Sequence, residues 1–356
     1  MTTDTAIEDL DGLLNWPNIA AWIAAQPDVP GSGPVTAARK LSGGIQNTVM
    51  LVERGDTRLI LRRPSKRARP TAGETMRRES RVLQALAGTN VPHPGFYALC
   101  DDESVTGATF YLMEDLEGFA KSGELPGRYA GDASWRKAMG ETLVDAAVAL
   151  GAVDYAGLGL SDLGKPDAWH ERQVERWRKQ LGGYAATPGY DPAELPHFHE
   201  IGRWLEANLP QDRRIGLMHG DLQFPNVMFS LEAPRVSGII DWELVTLGDP
   251  MIDLGWILSS WIEPGDPDGK KPMVTPWDGF SSRAELAGRY CRAAGRDPAA
   301  VPWFFALACY KLACLLEGTV AAARAGKVPE NVGISIREYS TWLTTKGRQV
   351  ISGEGR

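Results

Sequence analysis

Residues 217–229 read LMHGDLQFPNVMF, a stretch in which polar residues stand between two apolar segments. The chain continues through APRVSGIIDWE, an apolar strand that ends at Asp241. Two loops joined by a short hairpin therefore present Asp221, Asn226 and Asp241. Such an arrangement is either an ordinary polar turn between buried strands or a loop that holds a carboxylate and an amide over a reacting group.

The oxygen-bearing side chains of these two loops suit Mg²⁺ and a phosphate chain. Mg²⁺ takes oxygen ligands, usually one or two carboxylates, and substrate phosphates and water complete its octahedron. An aspartate that does not bind the metal is then free to orient an acceptor hydroxyl and to accept its proton during phosphoryl transfer. The two loops therefore predict phosphoryl-transfer chemistry.

Length, charge and cysteine usage narrow the class of protein. The chain has 356 residues, more than one hydrophobic core usually supports, so we expect two lobes. Its formal net charge of -7 argues against a general nucleic-acid binder. The cysteines form no CxxC pair, which predicts reduced thiols. The N-terminus lacks the pattern of a secretion signal, and no long uncharged apolar stretch follows, so we expect a cytoplasmic protein without a membrane partner.

The first third of the chain predicts a small antiparallel sheet with one helix. LSGGIQNTVMLVE opens with a Ser-Gly-Gly turn and passes into a β-branched run, and the turn at residues 54–56 connects it to a second strand, RLILRRP. Backbone amides near Ser42, Gly43 and Gly44 can point at a phosphate, because glycine lets the main chain approach closely.

A basic run overlaps the end of that second strand. It contains Arg62, Arg63, Lys66, Arg67 and Arg69. It is either a solvated surface loop or a cradle for the phosphates of a ligand.

The segment GETMRRESRVLQALAG predicts a helix whose apolar residues share one face with Glu79. A carboxylate on an inward face is costly unless a cation pairs with it, and Arg62 at the end of the preceding strand supplies that cation. The alternative to a role in catalysis is a salt bridge that only fixes the helix against the sheet.

From about residue 131 the chain is predicted to be mainly helical. Helical periodicity marks residues 134–154, 168–184 and 199–207, and PWFFALACYKLACLLEG predicts a further apolar helix, read as core. We therefore expect an α+β fold with an N-terminal lobe over 1–115 and a larger helical C-terminal lobe over 116–356.

The ordered set of a Ser-Gly-Gly loop, a basic strand end, a helix glutamate, HGDxxxxN and IIDWE resembles the aminoglycoside phosphotransferase family of the protein-kinase-like fold. The resemblance covers residues 38–325. ERQVERWRKQL and YKLACLLEGTVAAARAG look like the subgroup that includes the kinase-like domain of acyl-CoA dehydrogenase family member 10. The resemblance implies a two-lobed kinase that uses ATP and Mg²⁺ and phosphorylates the hydroxyl of a small molecule, as a monomer or a homodimer.

The resemblance also implies roles for particular residues in the catalytic loops. Asp221 matches the catalytic aspartate. His219 belongs to the same catalytic loop, where it either braces the chain or transfers a proton, and bracing is the preferred interpretation. Asn226 and Asp241 match the magnesium ligands. We expect Asp253 to anchor this loop from below, and Asp249 to cap the helix that contains Asp253.

Nucleotide-binding residues follow from the same resemblance. Ser42, Gly43 and Gly44 match the loop over the ATP phosphates, and Glu114 and Leu116 match the backbone positions that hydrogen-bond adenine. Arg62 and Glu79 match the pair that holds the α- and β-phosphates.

The sequence departs from the family pattern at Arg62, because this fold normally places a lysine there. An arginine fork can grip phosphate oxygens in two places but is bulkier than an ammonium. The departure keeps open a nucleotide-binding pseudokinase as the alternative to an active kinase.

The sequence leaves two classes of phosphate acceptor open. Cationic aminoglycosides or amino alcohols would need an acidic groove, whereas the predicted helix with Arg172, Arg176, Arg178 and Lys179 favours an anionic acceptor. The subgroup resemblance implies a hydroxyacyl-CoA or hydroxy acid, which would fit. Trp169 and Trp177 would line an acceptor pocket or pack that helix, and packing is the preferred interpretation.

Overall fold

The computed structural model describes residues 15–43, 47–65, 68, 71–120 and 123–354. The chain divides into two compact units. The first comprises Met1–Gly118, Ala156–Leu160 and Ser237–Glu243, and the second comprises Phe119–Tyr155, Ser161–Val236 and Leu244–Arg356. The sequence assigned the two later segments of the first unit to the C-terminal lobe. Ser237–Glu243 joins the first unit because the Ile239 amide donates to the Pro92 carbonyl at 2.9 Å.

An antiparallel five-stranded sheet forms the first unit, in the order β1-β2-β3-β5-β4. The predicted hairpin connects β2 to β3 through a two-residue turn in which Gly55 has a φ of +58°. The sequence did not predict the first strand as such. The strands are β1 (Val35–Gly43), β2 (Asn47–Arg54), β3 (Thr57–Pro64), β4 (Phe96–Cys100) and β5 (Phe110–Glu114).

Two helices accompany this sheet, α1 (Trp16–Ala24) and α2 (Ala72–Leu86). Helix α1 was not predicted, and it contributes Ile19 and Ile23 to a core shared with alternating residues of the strands. Helix α2 has the predicted position and buries the stripe that contains Glu79. The predicted period of this helix is therefore confirmed.

The second unit is mainly helical. Its helices are α3 (Gly127–Gly131), α4 (Ala133–Gly151), α5 (Arg172–Gly183), α6 (Phe198–Ala207), α7 (Met251–Ser260), α8 (Arg283–Ala294), α9 (Val301–Arg324) and α10 (Glu330–Ser352). Short strands punctuate the chain at β6 (Gly123–Glu124), β7 (Gly216–Met218), β8 (Val227–Phe229), β9 (Val236–Ile239), β10 (Thr246–Gly248) and β11 (Val274–Thr275). Strands β7 and β10 pair antiparallel, and β6 pairs with β11 in parallel.

Helix α9 is the central helix of the second unit, and the prediction that its apolar residues form core is confirmed. The helical stretch Pro298–Arg324 is also long and apolar enough to cross a membrane. However, 72% of its apolar window is buried inside the protein. Its composition is thus accounted for by packing.

Asp249 organises the start of α7. Its Oδ1 accepts the amide hydrogen of Met251 at 3.0 Å, which is the predicted capping contact, although the helix begins one residue later than expected. The carboxylate is fully buried and also accepts two hydrogen bonds from Arg296 and one from the Arg214 amide. These contacts compensate the buried charge and fix the direction in which α7 leaves the preceding strand.

The absence of a side chain at Gly255 on α7 allows α7 and α9 to approach each other closely. A Cβ at this position would lie 2.4 Å from the Phe304 carbonyl oxygen of α9, a backbone atom that cannot rotate away. We expect Gly255→Ala to lower the free energy of unfolding by about 1–3 kcal/mol, measured by urea denaturation. Gly182→Ala is the matched control, because Gly182 is exposed on α5 and an added methyl group meets nothing within 4 Å. The control should gain up to about 1 kcal/mol, and equal stability of the two variants would contradict this account.

Candidate functional site

Arg62 connects two carboxylates in the first unit. It lies in β3 with only 6% of its surface exposed. Its Nε is 2.9 Å from Oε2 of Glu79, and its Nη2 is 2.6 Å from Oδ1 of Asp241. The Tyr111 hydroxyl donates to Oε2 of Glu79 at 2.7 Å. The predicted Arg62–Glu79 ion pair is confirmed, and it extends to Asp241, which the sequence did not indicate.

In this cluster, burial and charge pairing shift the pKa values of Arg62 and Glu79 in opposite directions. Burial alone would lower the pKa of Arg62, but Glu79, Tyr111 and Asp241 together outweigh it and raise that pKa above its ordinary value. Burial raises the pKa of the Glu79 carboxyl, against the opposing effects of Arg62 and Tyr111. Arg62 is therefore a permanently charged, buried cation that forms ion pairs with carboxylates of the same chain.

Asp241 has an unusual backbone conformation directly after β9. Its φ is +64°, a left-handed conformation that residues with a side chain seldom adopt. The Trp242 indole donates to the Ile239 carbonyl at 2.9 Å, and Asn47 donates to Glu243 at 2.9 Å, so both flanks of the turn are held. Strain that surrounding contacts maintain is typical of functional positions. The Asp241 side chain remains 39% exposed, which leaves it accessible to a ligand.

The residues predicted to bind adenine lie at and after the end of β5. The Glu114 amide is already donated to the Gly95 carbonyl at 2.8 Å, and the Glu114 carboxylate accepts the Gly95 amide at 2.9 Å. Among the described residues, no backbone partner accepts the Leu116 amide hydrogen. Leu116 is therefore the available donor of the pair, and Glu114 can offer only its carbonyl.

The predicted phosphate loop is described in part. Ser42 and Gly43 form the end of β1, where they pair with Val49 and Thr48. Gly44 lies outside the described residues.

The basic run at the end of β3 is likewise described only in part. Arg62 and Arg63 are buried, so neither belongs to a solvated loop. Lys66, Arg67 and Arg69 lie outside the described residues.

Asp221 and Asn226 meet in one loop of the second unit, between β7 and β8. Asn226 donates its amide to Oδ2 of Asp221 at 2.8 Å and to the Asp221 carbonyl at 2.8 Å. Gln223 donates to Oδ1 of Asp221 at 2.5 Å. Each carboxylate oxygen therefore accepts a hydrogen bond from the same loop, which fixes the orientation of the carboxylate. The contribution of Gln223 was not predicted.

Asp253 holds the same loop from α7. Its Oδ2 accepts the His219 amide hydrogen at 2.7 Å, and its Oδ1 accepts the Gly220 amide hydrogen at 2.8 Å. The expected anchoring contacts are therefore present. His219 is fully buried, which favours the bracing role considered for it over contact with a substrate.

Gly220 explains why the loop can turn at this point. Its φ is +85°, and a Cβ there would lie 3.0 Å from the Leu244 carbonyl oxygen. Only glycine meets both conditions without strain.

Lys311 is a functional residue that the sequence reading missed. It is buried on α9 and donates from Nζ to the Gly220 carbonyl at 2.9 Å, with the Trp256 ring centroid 4.9 Å away. Burial lowers the pKa of Lys311 to about 8, while the charges of Asp253 and Asp221 act in the opposite direction. A single lysine inside an apolar helix was the available signal, because a buried ammonium requires a partner.

The donor set fits Mg²⁺ when most of the coordination comes from a phosphate ligand. No group of three or more His, Cys, Asp or Glu side chains in the described ranges could hold a metal by itself. Asn226 turns its amide nitrogen to Asp221, and its Oδ1 makes no hydrogen bond with a described residue. The free amide oxygen of Asn226 in the second unit and the exposed Asp241 carboxylate in the first unit are each the kind of oxygen ligand that Mg²⁺ takes.

The arginines of α5 differ in their contacts, and among them Arg178 has carboxylate partners within the described residues. Arg178 pairs with Glu175 at 3.2 Å and Glu206 at 3.0 Å, and Arg172 donates to the Ala168 carbonyl at 3.3 Å. Arg176 lies over the ring of Trp177. The packing interpretation of the tryptophans is confirmed, since Trp169 and Trp177 are both buried.

Comparison with known sequences gives a family and several relatives. The model of the phosphotransferase enzyme family matches residues 37–304. Acyl-CoA dehydrogenase family member 10 of Mus musculus is 29% identical over 316 residues, covering 84% of this chain and 28% of the relative. Acyl-CoA dehydrogenase family member 11 of Gallus gallus is 31% identical over 326 residues, covering 88% and 40%. The chain thus spans well under half the length of these relatives.

Solved structures give the fold. A protein of Ralstonia eutropha assigned to the aminoglycoside phosphotransferases is 29% identical, with a TM-score of 0.77 over 95% of this chain and 98% of that one. An APH(2″) enzyme in complex with GDP and kanamycin is 16% identical, with a TM-score of 0.63 over 91% and 97%. The predicted protein-kinase-like α+β fold is confirmed.

Asp253 should give the stability of the protein a measurable pH dependence. Burial raises its pKa to about 6, although the Gly220 and His219 amides and Lys311 oppose the shift. The unfolded carboxyl titrates near ~4, so the native state holds more protons between about pH 4 and 6, and stability falls as pH rises through that window. The non-titrating Asp253→Asn variant lacks this effect.

We expect the difference in unfolding free energy, wild type minus Asp253→Asn, to decrease by roughly 3 kcal/mol between pH 4 and 7. Urea denaturation at several pH values measures it, and titrating groups that do not interact with Asp253 cancel in the difference. A difference that rises with pH would show that the amides and Lys311 outweigh burial.

Proposed function

Because the chain belongs to the phosphotransferase enzyme family, we propose that it is an ATP- and Mg²⁺-dependent kinase that phosphorylates a hydroxyl group of a small molecule. The family resemblance predicted from HGDLQFPNVMF and IIDWE is confirmed by the match over residues 37–304. The observation that carries the proposal is the fixed Asp221 carboxylate, with one hydrogen bond to each oxygen. Its loop is secured by Asp253 and Lys311 from below.

Asp221 acts on the acceptor in this proposal. It accepts a hydrogen bond from the acceptor hydroxyl and takes its proton as the oxygen bonds to the γ-phosphorus. The bond between the γ-phosphorus and the oxygen bridging to the β-phosphorus breaks, and ADP leaves. Gln223 and Asn226 keep the carboxylate oriented, so that it is ready to accept that proton.

Asn226 and Asp241 would hold the metal. Bound Mg²⁺ neutralises negative charge on the phosphates. Arg62 bridges Asp241 and Glu79 and keeps the Asp241 carboxylate in one orientation. In this proposal Arg62 orients the carboxylate of Asp241, the metal ligand. This role accounts for an arginine at the position where the family pattern has lysine.

For the acceptor we propose a hydroxy acid or a hydroxyacyl-CoA. The support is that relatives of 29% and 31% identity carry the name acyl-CoA dehydrogenase. Since the chain spans 28% and 40% of their lengths, it corresponds to one part of each. A kinase part joined to a dehydrogenase part would act on the same class of molecule.

One observation favours a second candidate, a pseudokinase that binds nucleotide without turnover. Arg62 pairs with Glu79 through Nε and with Asp241 through Nη2, whereas an active kinase needs a cation on the α- and β-phosphates. Under this candidate the cluster would be purely structural.

Substitution of Asp221 separates the two candidates. We expect Asp221→Asn to lower kcat for acceptor-dependent ADP release by about 10²–10⁴-fold, because the general base is lost while the side-chain shape is kept. The affinity for Mg-ATP, measured by calorimetry, should change little. Asp28→Asn is the matched control, since Asp28 is an exposed aspartate of the first unit.

The assay uses Mg-ATP with 3-hydroxybutyrate, 3-hydroxybutyryl-CoA, an aminoglycoside and an amino alcohol as acceptors. Turnover that depends on Asp221 for one acceptor establishes the kinase and its acceptor class. Nucleotide binding without turnover for every acceptor, in wild type and variant alike, would favour the pseudokinase.

A further inference from the structure

A small cavity lies beside the middle of α10 in the second unit. Its volume is about 150 Å³, and its walls include Ile262, Lys270, Lys271, Met273, Tyr339 and Trp342. The lysines belong to the Pro/Gly-rich segment that precedes β11, and the aromatic residues belong to α10. The sequence predicted only a surface loop for the lysine segment, so this cavity is a feature of the tertiary structure.

The cavity carries positive charge that the protein does not compensate. Lys270 places Nζ 3.9 Å from the ring centroid of Tyr339, and burial lowers its pKa, with the charge of Glu338 acting in the opposite direction. Within the described ranges, neither Lys270 nor Lys271 has a carboxylate at ion-pair distance. A partly buried ammonium over a ring is stabilised modestly. An anion in the cavity would supply the missing partner.

The Tyr339 hydroxyl adds a hydrogen-bond donor to the same cavity. It makes no hydrogen bond to any residue that the structure describes. Burial raises the pKa of Tyr339 to about 12, and the charges of Cys309 and Asp221 add to the shift, so the hydroxyl keeps its proton at neutral pH. Ile262, which lines the cavity, follows Trp261 in the chain, and the Trp261 ring stacks on Phe224 of the Asp221 loop with the ring centroids 5.3 Å apart, so the cavity lies close to that loop.

The apolar wall of the cavity that Trp342 forms is held in place by contacts with neighbouring residues. The Trp342 indole donates to the Pro267 carbonyl at 2.6 Å, and Lys346 lies 4.6 Å from the Trp342 ring centroid. Lys346 in turn donates to the Trp261 carbonyl at 2.6 Å and pairs with Asp266 at 3.1 Å. Because these contacts are already formed, ligand binding would require little ordering of this wall.

We propose that this cavity binds an anionic group of the acceptor, a carboxylate or a phosphate, through the ammonium groups of Lys270 and Lys271 and the hydroxyl of Tyr339. The assignment deepens the proposed function and rests on it. A volume of about 150 Å³ holds one charged group with a few carbons, because pockets for whole ligands measure roughly 300–1,000 Å³. A polycationic acceptor would meet charge of its own sign here.

The test removes both positive charges in the 356-residue chain. The probes are 3-hydroxybutyrate, its neutral amide 3-hydroxybutyramide, and 3-hydroxybutyryl-CoA. We expect the double variant Lys270→Gln/Lys271→Gln to raise the KM and the Kd of an anionic probe about tenfold or more, with kcat nearly unchanged. The amide should change by less than about twofold. An effect on the free acid identifies a carboxylate, and an effect on the thioester alone identifies its phosphates.

Lys327→Gln is the matched control, because Lys327 is an exposed lysine outside the cavity. Thermal unfolding of each variant verifies that the fold is intact. Equal losses for the acid, the thioester and the amide, or no loss for any of them, would overturn the assignment.

Calorimetric binding without ATP separates this assignment from the proposed function. If no acceptor is phosphorylated but the double variant loses affinity for an anionic probe, the kinase proposal fails, and the cavity is an anion site that does not serve an acceptor. If an acceptor is phosphorylated and the double variant keeps its KM, the cavity assignment fails alone. If no probe binds and none is phosphorylated, both are wrong.

Discussion

The structure of the second unit depends on one buried charge arrangement beneath the loop that contains Asp221. The Asp253 carboxylate accepts the amide hydrogens of His219 and Gly220, and Lys311 donates to the Gly220 carbonyl from the other side. Burying these charges costs free energy, and their mutual attraction together with the loop hydrogen bonds offsets that cost. Contacts with α7 and α9 therefore hold the loop rigidly, and the Asp221 side chain has one fixed orientation. A catalytic carboxylate needs this kind of fixed support.

The first unit uses charge in a comparable way around Arg62. An arginine can reach two carboxylates at once because its guanidinium presents donors along two edges, which an ammonium on a lysine stem cannot do with the same geometry. Glu79 fixes one edge and Asp241 the other. The departure from the family's lysine is thus matched by a specific set of contacts. Orientation of the Asp241 carboxylate and charge pairing of the helix glutamate both follow from it.

Part of this organisation was predictable from the sequence, and the reasons are local. The β2–β3 hairpin and α2 follow from turn residues and periodicity, and the Arg62–Glu79 pair follows from a carboxylate on an apolar stripe. Other contacts leave no periodic trace, because they join residues far apart in sequence. Asp241 meets Arg62 across 179 positions, and Lys311 meets Gly220 across 91. The lysine cavity was likewise invisible, since its charged segment reads as a surface loop until α10 is placed against it.

Transfer of phosphate to an alcohol, as distinct from hydrolysis of ATP, is the central claim, and ³¹P NMR of the reaction mixture tests it directly. The protein is incubated with Mg-ATP and 3-hydroxybutyrate or its CoA thioester, and the spectrum is recorded as ADP accumulates. The account predicts a new phosphomonoester resonance, coupled to the proton on the carbon that carried the hydroxyl, growing in step with ADP. Formation of inorganic phosphate and ADP alone, or an unchanged ATP spectrum with every acceptor, would contradict it.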